Sequence, residues 1–182
     1  MRLFISGGCK NGKSFYAQRL AKAQHAEPLY YIATMKPVDL EDDERIARHR
    51  KERDGWGFAT IEQPLDIEAI LDKCDLGGSF LLDSLTALLA NEMFLSDGSI
   101  NEQAAHKITA GLVLVINNIE NIVIVSDYIY SDTPFFDQLT EKYRKSLAEI
   151  DRTAARYCEA VLEVAYSSVI AHKGAAIYEA LS

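Results

Sequence analysis

The sequence has few cysteines, a shortage of positive charge and no long unbroken apolar run. Each shortage argues against a class of function. The three cysteines, Cys9, Cys74 and Cys158, are an odd number at spacings that match no zinc site. They argue against a disulfide framework and point to reduced thiols in a cytoplasmic protein. The four histidines, His25, His49, His106 and His172, show no metal-ligand spacing either. Lysine and arginine number 19 against 27 acidic residues, a net charge of −8. The basic footprint of a nucleic-acid binder is missing, so no nucleic-acid partner is expected. The most apolar stretch, GLVLVINNIENIVIVS, is broken by Asn117, Asn118, Glu120 and Asn121 and is not a membrane span. It reads as a helix end, a turn and a buried strand. The opening MRLFIS is too short for a signal sequence and reads as a first strand. With no linker, low-complexity tract or repeat, residues 1–182 are expected to form one domain.

What remains suits an α/β domain: 182 residues, 48% hydrophobic and 25% charged. Strand candidates are residues 2–6, 29–33, 79–83, 121–126 and 160–165, each short, apolar and rich in branched or aromatic side chains. GFATIE, 57–62, is a weaker one. Helical patterns cover 13–25, 41–53, 66–73, 84–94, 101–119 and 134–159, the last opened by Pro134 in a first-turn position. The alternation predicts a mainly parallel sheet with helices on both faces.

The chemistry starts at FISGGCKNGKS, residues 4–14. Gly7 through Ser14 satisfy G-x-x-x-x-G-K-S/T in full, after a strand and before the amphipathic pattern KSFYAQRLAKAQ. Glycines permit the turn and the close backbone approach. The loop's N–H groups would converge on phosphates at the positive end of the helix. Lys13 would reach the β and γ phosphates and Ser14 would ligate Mg²⁺. The expected fold is therefore P-loop NTPase-like. A carboxylate at another strand end is needed to organise the metal. Asp83 and Asp127 both qualify, and the pattern does not choose between them.

EDDERIARHRKER puts Arg45, His49 and Arg53 four residues apart, on one face of a helix. Flanking positive charge would keep the imidazole neutral and nucleophilic. It would also neutralise a phosphate under attack. The same segment carries Glu41–Arg45 and Glu44–Arg48, ordinary surface pairs, so a plain solvated helix fits the spacing as well.

Taken together, these motifs resemble the bifunctional adenosylcobinamide kinase / adenosylcobinamide-phosphate guanylyltransferase family of cobalamin synthesis. The resemblance runs over roughly residues 2–173. It rests on SGGCKNGKS, YIAT at 31–34, Asp39 and Glu41, RIARHRKER at 45–53, FATIEQP at 58–64 and LLDSLTALLANE. It implies phosphorylation of adenosylcobinamide by GTP or ATP, then transfer of GMP from GTP through a GMP–histidine intermediate. By position His49 would be the nucleophile. The nucleotide would contact Gly7, Gly8, Cys9, Lys10, Asn11, Gly12, Lys13, Ser14, Ala33, Thr34, Met35, Arg50, Lys51, Glu52, Arg53, Glu62 and Asp83. Ser14 and Asp83 would hold Mg²⁺, which decides the earlier tie for Asp83. A corrinoid acceptor and a homotrimer are implied with them.

The last third departs from the family pattern. Where that has N-E-V-G-x-G-I-V-P, this chain has SDYIYSDTPF, with Asp127 for Asn and Tyr128 for Glu. Asp151 and Arg152 take the places of an Asn-Gln pair. Two readings follow. One is an enzyme with a reshaped acceptor pocket or subunit edge. The other is a paralogue that binds nucleotide but has lost one or both reactions.

Overall fold

The computed structural model describes residues 1–9, 11–37, 47, 51, 53–130, 136–166 and 168–181. Within them, strands β1 (Arg2–Gly7), β2 (Leu29–Ala33), β3 (Ala59–Glu62), β4 (Ser79–Asp83), β5 (Asn121–Asp127), β6 (Ala160–Ala165) and β7 (Ser168–Lys173) form one sheet. Its order is β3-β2-β4-β5-β1-β6-β7. All pairings are parallel except β6 with β7. The helices are α1 (Lys13–Ala23), α2 (Leu85–Met93), α3 (Ala104–Asn118), α4 (Gln138–Tyr157) and α5 (Ala175–Leu181), with a 3-10 helix at Ile67–Asp72.

The strands are apolar throughout because both faces are covered. Successive side chains point to opposite sides. Leu3, Ile5, Tyr31, Leu81, Val123, Val125 and Leu162 therefore share one face, packed on Ala17, Leu20 and Ala21 of α1, with Ile177 and Leu181 of α5 beside them. Phe4, Ile32, Phe80, Leu82, Ile122 and Ile124 share the other, under Leu88 and Leu89 of α2, Ile108 and Leu112 of α3, and Leu147 and Ile150 of α4. The mainly parallel sheet with helices on both faces is the architecture expected from the sequence. The broken apolar stretch divides as expected, α3 ending at Asn118 and β5 opening at Asn121.

Several boundaries are corrected. Helix α1 stops at Ala23, and His25 adopts a left-handed φ of 54°. Helix α4 starts at Gln138, well after Pro134. Asp137 Oδ1 accepts from the backbone N–H groups of Leu139 at 2.9 Å and Thr140 at 3.0 Å. A carboxylate satisfies two orphan donors of the first turn, whereas proline only fills a position that needs none. Pro134 itself lies outside the described residues. The 66–73 pattern is a 3-10 helix, and the weak strand shrinks to Ala59–Glu62. Strand β7 and helix α5 were not expected. His172 thus stands on β7, with Nε2 2.7 Å from Glu163 Oε2, and not in a tail. Of the expected helix at 41–53, Ala47 and Lys51 are described as helical.

All three cysteines are free, Cys9 exposed and Cys158 buried. Burial pushes the Cys158 thiol up to about 12, so it is an inert core group. No described helix is long and apolar enough to cross a membrane.

Candidate functional site

The glycine loop leaves the carboxyl end of β1 in the middle of the sheet. This is where open parallel sheets present ligand sites. In the parallel register Gly7 pairs with Asp127 of β5 on one side and Val164 of β6 on the other. A Cβ on Gly7 would come within 2.5 Å of the Val164 carbonyl oxygen and collide with the Asn11 side chain. Gly12, at φ 86°, is the left-handed residue that turns the loop into α1.

Asn11 braces this turn from both ends. Its Nδ2 donates to the Val164 carbonyl, and its Oδ1 accepts from the Lys13 N–H at 3.1 Å. The side chain therefore ties the end of β6 to the start of α1. Gly7→Ala is expected to break the brace and abolish nucleoside-triphosphate binding, while thermal unfolding still shows a cooperative fold. Isothermal titration with GTP checks this.

Lys13 is almost buried, at 7% exposure. Its ammonium donates to the Gly8 carbonyl at 3.0 Å and pairs with Asp127 Oδ1 at 2.5 Å. Asp127 is held in turn by its own backbone N–H, which donates to Thr86 Oγ1 at 2.9 Å. The strand-end pattern alone left Asp83 and Asp127 open as organisers of the metal, and the family resemblance chose Asp83. The geometry couples Asp127 to Lys13.

Asp83, at the end of β4, accepts from Tyr31 Oη at 2.8 Å. The Arg53 guanidinium lies 3.6 Å over the Tyr31 ring, which packs edge-on against Phe58. Burial, then the charge of Asp83, holds the Tyr31 phenol protonated well above its usual range. Arg53, Tyr31 and Asp83 are thus one connected unit.

Register sets Ala33 between Glu62 and Asp83. Thr34 locks β2 to β4. Its hydroxyl accepts from the Ser84 N–H at 2.7 Å and donates to the Ser84 carbonyl at 2.8 Å. Its carbonyl accepts from Asn91 Nδ2 at 2.7 Å. Along the β3 edge, Arg53, Asp54, Gly55, Gly57, Phe58, Thr60 and Glu62 line an open cleft of about 700 Å³.

The candidates fall into two groups. Gly7, Gly8, Cys9, Asn11, Gly12, Lys13 and Ser14 build the loop. Ala33, Thr34, Arg53, Glu62 and Asp83 gather at the ends of β2, β3 and β4. Met35 is half-buried just beyond β2, and Lys51 is exposed on a helical segment. Lys10, His49, Arg50 and Glu52 lie outside the described residues. Ser14 and the two strand-end aspartates supply hard oxygen donors of the kind Mg²⁺ takes.

Behind Asp127 the structure joins two residues that the sequence marked only as departures from the family pattern. Asp151 on α4 is buried and accepts from Tyr130 Oη at 2.8 Å. Burial pushes its carboxyl up to about 6, against the pull of the Tyr130 hydroxyl and of a Ser126 hydroxyl that is close but short of hydrogen-bond geometry. The folded chain therefore holds this proton more tightly than the unfolded chain. The resulting stabilisation is complete below about pH 4 and is lost as pH rises through about 6. Asp151→Asn keeps an acceptor for Tyr130 and removes the charge. It is expected to be more stable than the parent by about 2 kcal/mol above about pH 7, the gap closing toward about pH 4. Urea unfolding at both ends of that range measures it.

Comparison with known proteins bears on what this site does. The family model described as cobinamide kinase / cobinamide phosphate guanyltransferase matches residues 3–170. The bifunctional adenosylcobalamin biosynthesis protein CobP of Pseudomonas aeruginosa is 40% identical over 98 residues, 53% of this chain and 56% of that protein. The chain thus spans little more than half the length of this curated relative in the match. Among solved structures, the KaiC-like protein PH0186 of Pyrococcus horikoshii superposes with a TM-score of 0.52 at 12% identity, covering 94% of this chain and 78% of that one. That likeness is one of fold, and the fold is P-loop NTPase-like.

Proposed function

This chain belongs to the cobinamide kinase / cobinamide phosphate guanyltransferase family, and from that premise we propose that it carries out both reactions on adenosylcobinamide. The observation that carries the reading is the braced loop with the Lys13 ammonium enclosed at its centre. A triphosphate would accept the loop's N–H groups and take Lys13 from Asp127.

In the first reaction the aminopropanol hydroxyl oxygen of adenosylcobinamide attacks the γ-phosphorus of GTP or ATP. The bond from that phosphorus to the β-phosphate oxygen breaks, the nucleoside diphosphate leaves, and the hydroxyl proton is lost. In the second, a ring nitrogen of His49 attacks the α-phosphorus of GTP and pyrophosphate leaves. A phosphate oxygen of adenosylcobinamide phosphate then displaces the histidine, giving adenosylcobinamide-GDP. This is covalent catalysis, with neighbouring arginines keeping the imidazole neutral. Arg53, Glu62 and Asp83, with Arg50, Lys51 and Glu52, would surround the guanine nucleotide. Ser14 and Asp83 would hold Mg²⁺, which when bound neutralises phosphate charge. By the same membership we take the protein to be a single-domain cytoplasmic enzyme that assembles as a homotrimer.

The test is one corrinoid assay with GTP and ATP run in parallel. Formation of adenosylcobinamide phosphate and then adenosylcobinamide-GDP is the expected result. The phosphate alone would leave a kinase. No product from either nucleotide, with binding intact, would leave a nucleotide-binding protein without these activities.

A further inference from the structure

We propose that Tyr128 is a specificity-determining residue, an exposed aromatic platform that receives the bulky apolar body of the acceptor. The inference rests on the acceptor being the corrinoid of the proposed function. Three observations describe Tyr128 and its place next to the phosphate loop. The Tyr128 N–H donates to the Gly7 carbonyl at 2.8 Å, which anchors it to the first residue of that loop. Tyr128 directly follows Asp127, which touches the Lys13 ammonium. The residue is 43% exposed, and its ring meets the Tyr130 ring edge-on, centroids 5.4 Å apart.

The platform is held rigidly from behind. Arg144 of α4 donates to the carbonyls of Ile129 at 3.1 Å and Tyr130 at 3.0 Å. Tyr130 is fastened again through Asp151. A large side chain left partly in water on a fixed backbone, one residue from the carboxylate that pairs with Lys13, is a surface that a ligand completes.

Position decides which ligand. Lys13 marks where the terminal phosphates lie, so a group against Tyr128 sits at the phosphate end of the nucleotide, where the acceptor alcohol must arrive. The phenol face offers no hydrogen bond to a small alcohol. It suits an alcohol or phosphate carried on a broad, largely apolar frame, which a corrinoid supplies.

The experiment measures binding of adenosylcobinamide by equilibrium dialysis, read from its own visible absorption. The nucleotide is a non-hydrolysable GTP analogue with Mg²⁺, and its own affinity is measured separately. Tyr128→Ala is expected to weaken corrinoid binding about tenfold and leave analogue affinity unchanged. Tyr128→Phe should bind like the parent, a rescue that a role for the phenol hydroxyl would not give. Equal corrinoid binding by Tyr128→Ala and the parent overturns the platform and leaves the proposed function standing. Loss of analogue affinity instead assigns the ring to the nucleotide base and also overturns it. A parent that binds no corrinoid overturns both readings. One that binds corrinoid without turning it over removes the proposed activity alone.

Discussion

Lys13→Ala is expected to weaken GTP binding at least about 100-fold and to remove both transfer reactions. The argument is electrostatic. The ammonium is nearly buried, and its two partners are the Gly8 carbonyl and Asp127. A buried cation loses less of its attraction to screening than a surface one. A triphosphate arriving here exchanges one anionic partner of Lys13 for another. Without the lysine, Asp127 stays behind as an uncompensated carboxylate that repels the incoming phosphates. The double variant Lys13→Ala, Asp127→Asn should therefore recover about tenfold of the lost affinity. Asp127→Asn alone should bind GTP more tightly than the parent. Isothermal titration of the four proteins closes this cycle. GTP affinity left unchanged by Asp127→Asn in both backgrounds would mean that the carboxylate neither competes with nor repels phosphate.

His49→Ala is expected to lose guanylyl transfer by more than about 10⁴-fold, the scale for deleting a covalent nucleophile. Phosphorylation of adenosylcobinamide should continue at a rate within about threefold of the parent, because in the proposed mechanism the γ-phosphate reaction uses Lys13 and not the imidazole. The two rates are read in one assay, as corrinoid phosphate and corrinoid-GDP. Arg53 belongs to the described part of the site. It is four residues beyond His49, buried over the Tyr31 ring, and through Tyr31 linked to Asp83. A fall in both rates together would mean that the change acts through the fold and not through loss of the nucleophile.

The central strands were legible because burial on both faces leaves an uninterrupted apolar run, as in SFLLD and NIVIVS. The loop was legible because its glycines and lysine answer to backbone geometry and phosphate charge, both local requirements. Strand β7 was missed for the opposite reason. SVIAHK is an edge strand whose side chains are at most half-buried, so its composition carries little signal. The start of α4 was misread because Pro134 suggests a first turn, while the hydrogen bonds belong to Asp137.

The coupling of Lys13 to Asp127 lay beyond any local pattern. It depends on β5 lying next to β1, and strand order is set by packing across the whole sheet. Asn11 was expected as one of the nucleotide-contacting loop residues, and it is the approach of β6 that gives its Nδ2 a partner. The Asp151–Tyr130 contact joins residues on separate elements, which sequence spacing does not bring together.

The most direct measurement is the fate of the α-phosphorus of GTP. Incubated with GTP labelled there, then denatured and digested, the protein should carry acid-labile, base-stable label on the peptide containing His49, and adenosylcobinamide phosphate should discharge it. No label on the protein, or label that persists in His49→Ala, would contradict the account.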